Sequence, residues 1–220
     1  SASLEGIKIR MSFGESDYDT EEMSKRFSEE RILKGLYAHW KKHANGLSTM
    51  VFSVDKKHNI ASYEYFKSKG VNCAYVDEDT PKHERDAIVK RFKKGPFTEN
   101  PLTVIFNISL FSEGLDAEYT RCVVLNFATK SFTKYVQTTA RGSRPCWNSD
   151  YTDWLRLENG KYYKENVIVL DFGGNTMRHG MLPDYDAWGF DLSGQKKKGE
   201  APTKVCGDCR SVVYASYREC

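Results

Sequence analysis

The 220-residue sequence lacks any apolar run near the ~20 residues that a membrane-crossing helix needs. Its first residues, SASLEGIKIR, contain no apolar core of the kind a secretory signal carries. A soluble protein of the cytoplasm, in a bacterium or a phage-infected host cell, is therefore expected, with no membrane partner. Cysteine is too sparse and too scattered for a disulfide scaffold: Cys73 and Cys122 lie in apolar runs, Cys146 stands apart, and Cys206, Cys209 and Cys220 gather late. Net charge is also scarce, at +3. From Gly194 to Cys220 there are six Lys and Arg against three Asp and Glu, so the whole excess sits there. This excludes a uniformly basic nucleic-acid coat but leaves room for a local basic contact. Finally, no G-x-x-x-x-G-K-[ST] occurs, and Gly160-Lys161-Tyr162 lacks the hydroxyl such a loop offers to magnesium, so the chain has no phosphate-cradling loop of its own.

What is present is an alternation of apolar runs and amphipathic segments. Met23, Phe27, Leu33, Leu36 and Trp40 recur at helical spacing and predict a helix over 20–44. STMVFSV (48–54), VNCAYV (71–76), LTVIFNI (102–108), RCVVLNF (121–127) and NVIVLDF (166–172) predict strands. Helices are expected over 59–69, from Pro81 to Lys94, and from Ser131 to Arg144. Continuous apolar strands are buried on both faces, and their alternation with helices implies a parallel sheet in a three-layer α/β domain. That domain should cover 1–193, with an inserted segment near 145–165. GQKKKGEAPTK (194–204) has the composition of a flexible linker, and 205–220 forms a separate tail.

Ligands of open α/β sheets bind beyond the carboxyl ends of the strands. Three segments are expected to meet there: SVDKKHN (53–59), SLFSEGLD (109–116), and the helix carrying Gln137, Arg141 and Arg144. Spacings of four and three put those three side chains on one helical face. Two guanidinium groups held together call for an anion between them, and a phosphate chain suits their planar donor forks.

In this order the segments resemble the second RecA-like domain of superfamily 2 DEAD/DEAH-type helicases, with a likeness to phage-type and restriction-enzyme helicases. MVFSVDKKH is similar to motif IV, NISLFSEGLD to motif V and QTTARGSR to motif VI, usually Q-x-x-G-R-x-x-R, with Ala140 where glycine is common. AYVDEDTPKHERDAIVKRFKKG resembles the family's linking segment, and VLDFGGNTMRHGMLPDYDAWGFDLSG its later part. The resemblance implies a RecA-like fold and catalytic roles for three residues. Arg144 would be the arginine finger on the γ-phosphoryl of ATP-Mg2+, with Arg141 beside it and Gln137 positioning the phosphate side. Gly114 would allow close approach to the nucleotide, and Asp116 would bond its ribose or the facing domain. Ser53, Ser109 and Arg85 would hold a nucleic-acid backbone, DNA being expected before RNA. The partner implied is an N-terminal RecA-like domain bearing the missing loop, without which this chain should hydrolyse nothing.

C206-G-D-C209 with Cys220 resembles an incomplete zinc ribbon, three ligands where four are usual, for which a further cysteine beyond residue 220 is the expected fourth. CAYVDEDT (73–80) imitates a metal-binding acidic strand end, but without a phosphate loop a solvated acidic turn is expected. Asn175, Arg178 and His179 form no catalytic triad and are read as packing. The alternative to a motor is a tethering module on the same scaffold. Both arginines beside an intact Gly114–Asp116 loop favour the motor, since a tether needs neither.

Overall fold

The computed structural model describes residues 4–12, 15–95, 98–108, 117–143, 147–148, 155–156, 162–164, 166–182, 203–207 and 212–214. A hairpin, β1 (Ile9–Ser12) and β2 (Glu15–Tyr18), precedes α1 (Thr20–Phe27) and α2 (Glu30–Ala44). Then follow β3 (Thr49–Ser53), α3 (Lys56–Ser68), β4 (Cys73–Val76), α4 (Lys82–Lys93), β5 (Val104–Ile108), β6 (Cys122–Asn126) and α5 (Phe132–Thr139). A 3-10 turn at Ala140–Gly142 continues α5. Short strands β7 (Trp147–Asn148), β8 (Leu155–Arg156) and β9 (Tyr162–Tyr163) pair in the order β7-β9-β8. Next come β10 (Ile168–Asp171), α6 (Asn175–His179) and a hairpin of β11 (Thr203–Val205) with β12 (Val212–Tyr214).

The central sheet is five-stranded, ordered β10-β6-β3-β5-β4, and every pairing in it is parallel. The expected α/β class and parallel sheet are thus present. Alternate residues of each inner strand feed opposite faces. Val51, Val104, Phe106 and Val124 pack with Phe27, Leu36, Trp40 and Phe66 from α1, α2 and α3. Met50, Phe52, Ile105 and Leu125 pack with Phe92 of α4 and Tyr135 of α5. Helices therefore cover both faces, giving three layers. On the first face Phe66 meets Tyr37, Trp40 and Phe106 at ring separations of 5.1 to 5.3 Å, an aromatic cluster with edge contacts.

The helix expected over 20–44 is two helices, broken at Ser28 and Glu29. Glu29 has an extended ψ of 135°. The sequence explains the break. An unbroken helix would carry the Met23–Phe27 stripe onto Glu30 and Arg31 and drive charge into the core. Interrupting it re-phases the chain so that Leu33, Leu36 and Trp40 face inward. Asp19 caps the first helix through Glu22 N (2.9 Å), and Asp55 caps α3 through His58 N (2.9 Å) while also accepting from Ser24 Oγ (2.7 Å).

The aromatic cluster sets the first expectation. Phe66 is fully buried, and Phe66→Ala should cost about 3–5 kcal/mol of unfolding free energy. A urea transition displaced by less than about 1 kcal/mol would mean the surrounding rings do not depend on it.

Candidate functional site

A strand buried between two neighbours exposes only its ends, so chemistry must gather at the two edges of the sheet. At the carboxyl edge, β3 runs into Asp55 and Lys56, β4 into Asp77–Thr80, and β6 into Phe127–Lys130. Asp77 is 3% exposed, so it is not the solvated residue the sequence suggested. Its Oδ1 accepts from Thr80 Oγ1 (2.8 Å) and Asp79 N (3.1 Å), which makes it the organiser of a turn. Lys56 pairs with Asp79 and reaches Asp77 Oδ2 at 3.6 Å. These carboxylates hold the lysine protonated, raising its pKa, with the Asp79 hydrogen bond the main cause. Among the described residues no group of three His, Cys, Asp or Glu is placed to hold a metal ion.

Behind this edge lies a buried polar cluster that the sequence reading missed. His58 is fully buried. Its Nδ1 accepts from Val54 N (3.2 Å), so the ring proton sits on Nε2, which lies 2.8 Å from the Asn126 amide. The Asn126 amide is also 3.3 Å from Ser62 Oγ. Both contacts are made by the amide nitrogen as placed; turning the amide over would set its oxygen, which has no partner as placed, between the two donors. Burial pushes the His58 pKa down to about 4, outweighing the pull of Asp55.

The N-terminal hairpin is tied to the same edge. Asp17 accepts from Thr129 Oγ1 (2.6 Å) and Lys130 N (2.9 Å), while Lys130 and Arg178 lie over the Tyr18 ring at 5.7 and 5.1 Å. Asn175 accepts from Thr129 N (2.9 Å) and donates to Phe127 O (2.7 Å) and Asp171 Oδ1 (3.0 Å). Arg178 donates to Thr129 O (3.1 Å), and His179 stacks on Tyr135 at 5.2 Å. This is the packing role expected for Asn175, Arg178 and His179. Gly173 permits it, because a Cβ there would stand 1.9 Å from Phe127 O.

The residues singled out from sequence divide between the edges. Ser53 ends β3 at the carboxyl edge but is wholly buried, and its Oγ has no hydrogen-bond partner among the described residues. In this conformation it does not present its hydroxyl to a strand. Arg85, half-buried, lies in the first turn of α4, next to the groove lined by Lys56, Asp77, Asp79 and Glu84. Ser109, Gly114, Asp116 and Arg144 lie outside the described residues, as do Cys209 and Cys220. Cys206 is half-buried and follows β11, and the link from β11 to β12 spans 206–211.

Gln137 and Arg141 correct the expectation that all three segments meet at the carboxyl edge. A helix that follows one parallel strand and leads back toward the next runs antiparallel to both, so its end arrives at the amino edge. α5 starts near Thr129 and is followed by Gly142, where an added Cβ would lie 2.7 Å from Val123 Cγ2 and 2.6 Å from Val167 Cγ1. The helix expected to reach Arg144 is α-helical only to Thr139 and then tightens into the 3-10 turn, closed by Ser143 N to Ala140 O at 3.0 Å. Gln137 is exposed and Arg141 half-buried.

Comparison with known proteins adds what geometry cannot. Residues 28–146 match the family model described as Helicase conserved C-terminal domain. The chain belongs to that family. Over 152 residues, 69% of this chain, it is 37% identical to the Saccharomyces cerevisiae protein named ATP-dependent helicase IRC3. Over 222 residues, 99% of the chain, it is 25% identical to a 51.5 kDa protein of a Lactococcus phage. It spans 19% of the length of the first relative and 44% of the second. A fragment of an HsdR-type subunit of a type I restriction enzyme from Vibrio vulnificus shares the fold, with a TM-score of 0.56 at 21% identity over 77% of this chain and 31% of that one. The RecA-like class expected from the motifs is the class of this helicase domain. No helix among the described residues is long and apolar enough to cross a membrane.

The His58 cluster predicts a pH response. The folded pKa lies below the unfolded value of 6.5, so the neutral ring's contribution is complete above about pH 6.5 and is lost as pH falls toward about 4. The loss should total about 3 kcal/mol. Urea titrations at pH 7 and pH 4.5 should show a larger drop for the native protein than for His58→Gln, and equal drops would dismiss the buried neutral histidine as the cause.

Proposed function

We propose that this helicase C-terminal domain is the second motor lobe of an ATP-dependent helicase or translocase acting on nucleic acid, with DNA favoured over RNA. Arg144 and Arg141 meet the phosphates of ATP-Mg2+ held mainly by an N-terminal RecA-like lobe, with Gln137 on the α5 helix that precedes them. Gly114 and Asp116, in the segment joining β5 to β6, belong to the nucleotide side. Arg85 and Ser109 belong to the strand side, while the burial of Ser53 reduces its part to shaping the end of β3. Cys206, Cys209 and Cys220 are zinc ligands in this reading.

One observation carries the proposal. The turn holding Arg141, which leads into Arg144, is seated on the sheet with no room even for a Cβ at Gly142. A guanidinium stabilises developing phosphoryl charge only if its position is fixed beforehand, so that nothing need reorganise as the reaction proceeds. A rigid turn on a strand end supplies that fixation. The protein's role is then positional: the arginines neutralise charge on the transferring group, and the phosphate-cradling loop must come from elsewhere because no G-x-x-x-x-G-K-[ST] is present. Closing and opening of the cleft between the lobes would couple hydrolysis to movement along a strand.

The two-lobe protein decides the matter. Arg144→Ala should lower nucleic-acid-stimulated ATP turnover on the order of a thousandfold, with little change in KM for ATP. The 220 residues alone should hydrolyse no ATP. Unaltered turnover in the variant, or turnover by the isolated domain, overturns the assignment.

A further inference from the structure

Lys164 is a lysine only 7% exposed. Its ammonium donates to three backbone carbonyls: Glu118 O at 3.0 Å, Thr120 O at 3.0 Å and Gly142 O at 2.6 Å. An ammonium has three donors and no acceptor, so these carbonyls match its capacity. Each bond is charge-assisted and stronger than a neutral one. Three convergent carbonyls at the amino edge of a buried sheet would otherwise face one another unsatisfied, at a desolvation cost for each.

The carbonyls come from two different places in the chain. Glu118 and Thr120 belong to the stretch that leads from the Gly114–Asp116 segment into β6, where Thr120 N returns to Ala117 O (3.1 Å) and Arg121 N bonds Ser48 O (2.8 Å). Gly142 closes the 3-10 turn containing Arg141. One side chain, supplied from the segment between β9 and β10, therefore bridges both.

We propose that Lys164 is a positioning residue that locks the Arg141 turn to residues 118–120 at the entry to β6, so that the turn approaches the nucleotide as one body with the sheet. The proposal rests on the assignment of Arg141 to the nucleotide side. Lys164 touches no reacting atom; it acts through the carbonyl next to Arg141. Because the clamp contacts backbone, it fixes the direction of the turn without restricting which side chain the turn carries.

The test uses the full two-lobe protein with two independent readouts. First, amide hydrogen exchange compares Lys164→Met with the native protein. Exchange should rise at least tenfold in both 117–121 and 140–143, while β3 and β5 keep their protection. Unchanged exchange, or a rise in one segment alone, overturns the clamp. Second, a double-mutant cycle measures kcat and KM for ATP with Lys164→Met and Arg141→Ala. Lys164→Met should lower kcat at least tenfold with KM within twofold, and should cost less than twofold more once Arg141 is alanine. Independent, multiplicative losses overturn the action through Arg141. An Arg141→Ala protein of native turnover would instead refute the nucleotide-side reading and with it the catalytic part of this proposal, while the exchange result still judges the clamp. Should Lys164→Met fail to fold, Lys164→Gln retains two N–H donors, and its exchange and kcat should fall between native and the loss expected for methionine; native behaviour in both would overturn the proposal.

Discussion

The seating of β3 between β5 and β6 is the constraint on which the architecture depends. Thr49 pairs with Val104 on one side and Cys122 on the other, and all five residues of the strand are fully buried. A parallel strand in this position leaves no backbone group for solvent and no face uncovered. Helices must therefore pack on both sides and each crossover must return the chain to the starting edge. Every loop is consequently sorted to one of two edges before any side chain is chosen. This sorting puts Asp55, Asp77 and Thr129 at the carboxyl edge and Gly142, Thr120 and Ser48 at the amino edge.

Two-sided burial is also why the strands were legible. MVF, VIF and VVL read as continuous apolar runs because their residues alternate between the core clusters on the two faces of the sheet. Interruptions in these runs carried information as well. Asn107 and Asn126 are polar residues in fully buried strands, and each is held by a specific partner, Val51 O for one and the His58–Ser62 pair for the other. Nothing in the spacing of His58 distinguishes a neutral buried ring from an exposed one, since its ring partners are Asn126, 68 positions away in sequence, and the backbone N–H of Val54 just before its own helix. The break between α1 and α2 was written in Glu30 and Arg31, but the periodic apolar residues on either side masked it.

The candidate site was legible in its parts and not in its placement. Spacing of four predicts a shared helical face for Gln137 and Arg141, but α5 tightens into a 3-10 turn before Arg141, and spacing says nothing about which end of the sheet that helix reaches. Direction comes from topology, through the antiparallel return of α5. Lys164 gave no signal at all. A lysine in a polar, aromatic insertion is ordinarily solvated, and only the folded chain brings three carbonyls to its ammonium. The same limit applies to Ser53, whose motif-like position at a strand end hides its complete burial.

Separating the two edges has a mechanical consequence under the proposed function. β6 carries Asn126 at one edge and Cys122 at the other, about 13 Å apart at the rise of a parallel strand. Its flanking strands are in register with it and its side chains are closely packed, so it cannot shorten or shear to accommodate a displacement at one end. Packed interiors switch between arrangements rather than deforming continuously. A push on the arginine turn would therefore reach the carboxyl edge as rotation of the entire lobe. The lock at Gly142 and the tie of Asp17 to Thr129 act at opposite ends of this block. Both remove soft joints through which such a displacement would dissipate, and the movement is left to whatever joins the two lobes.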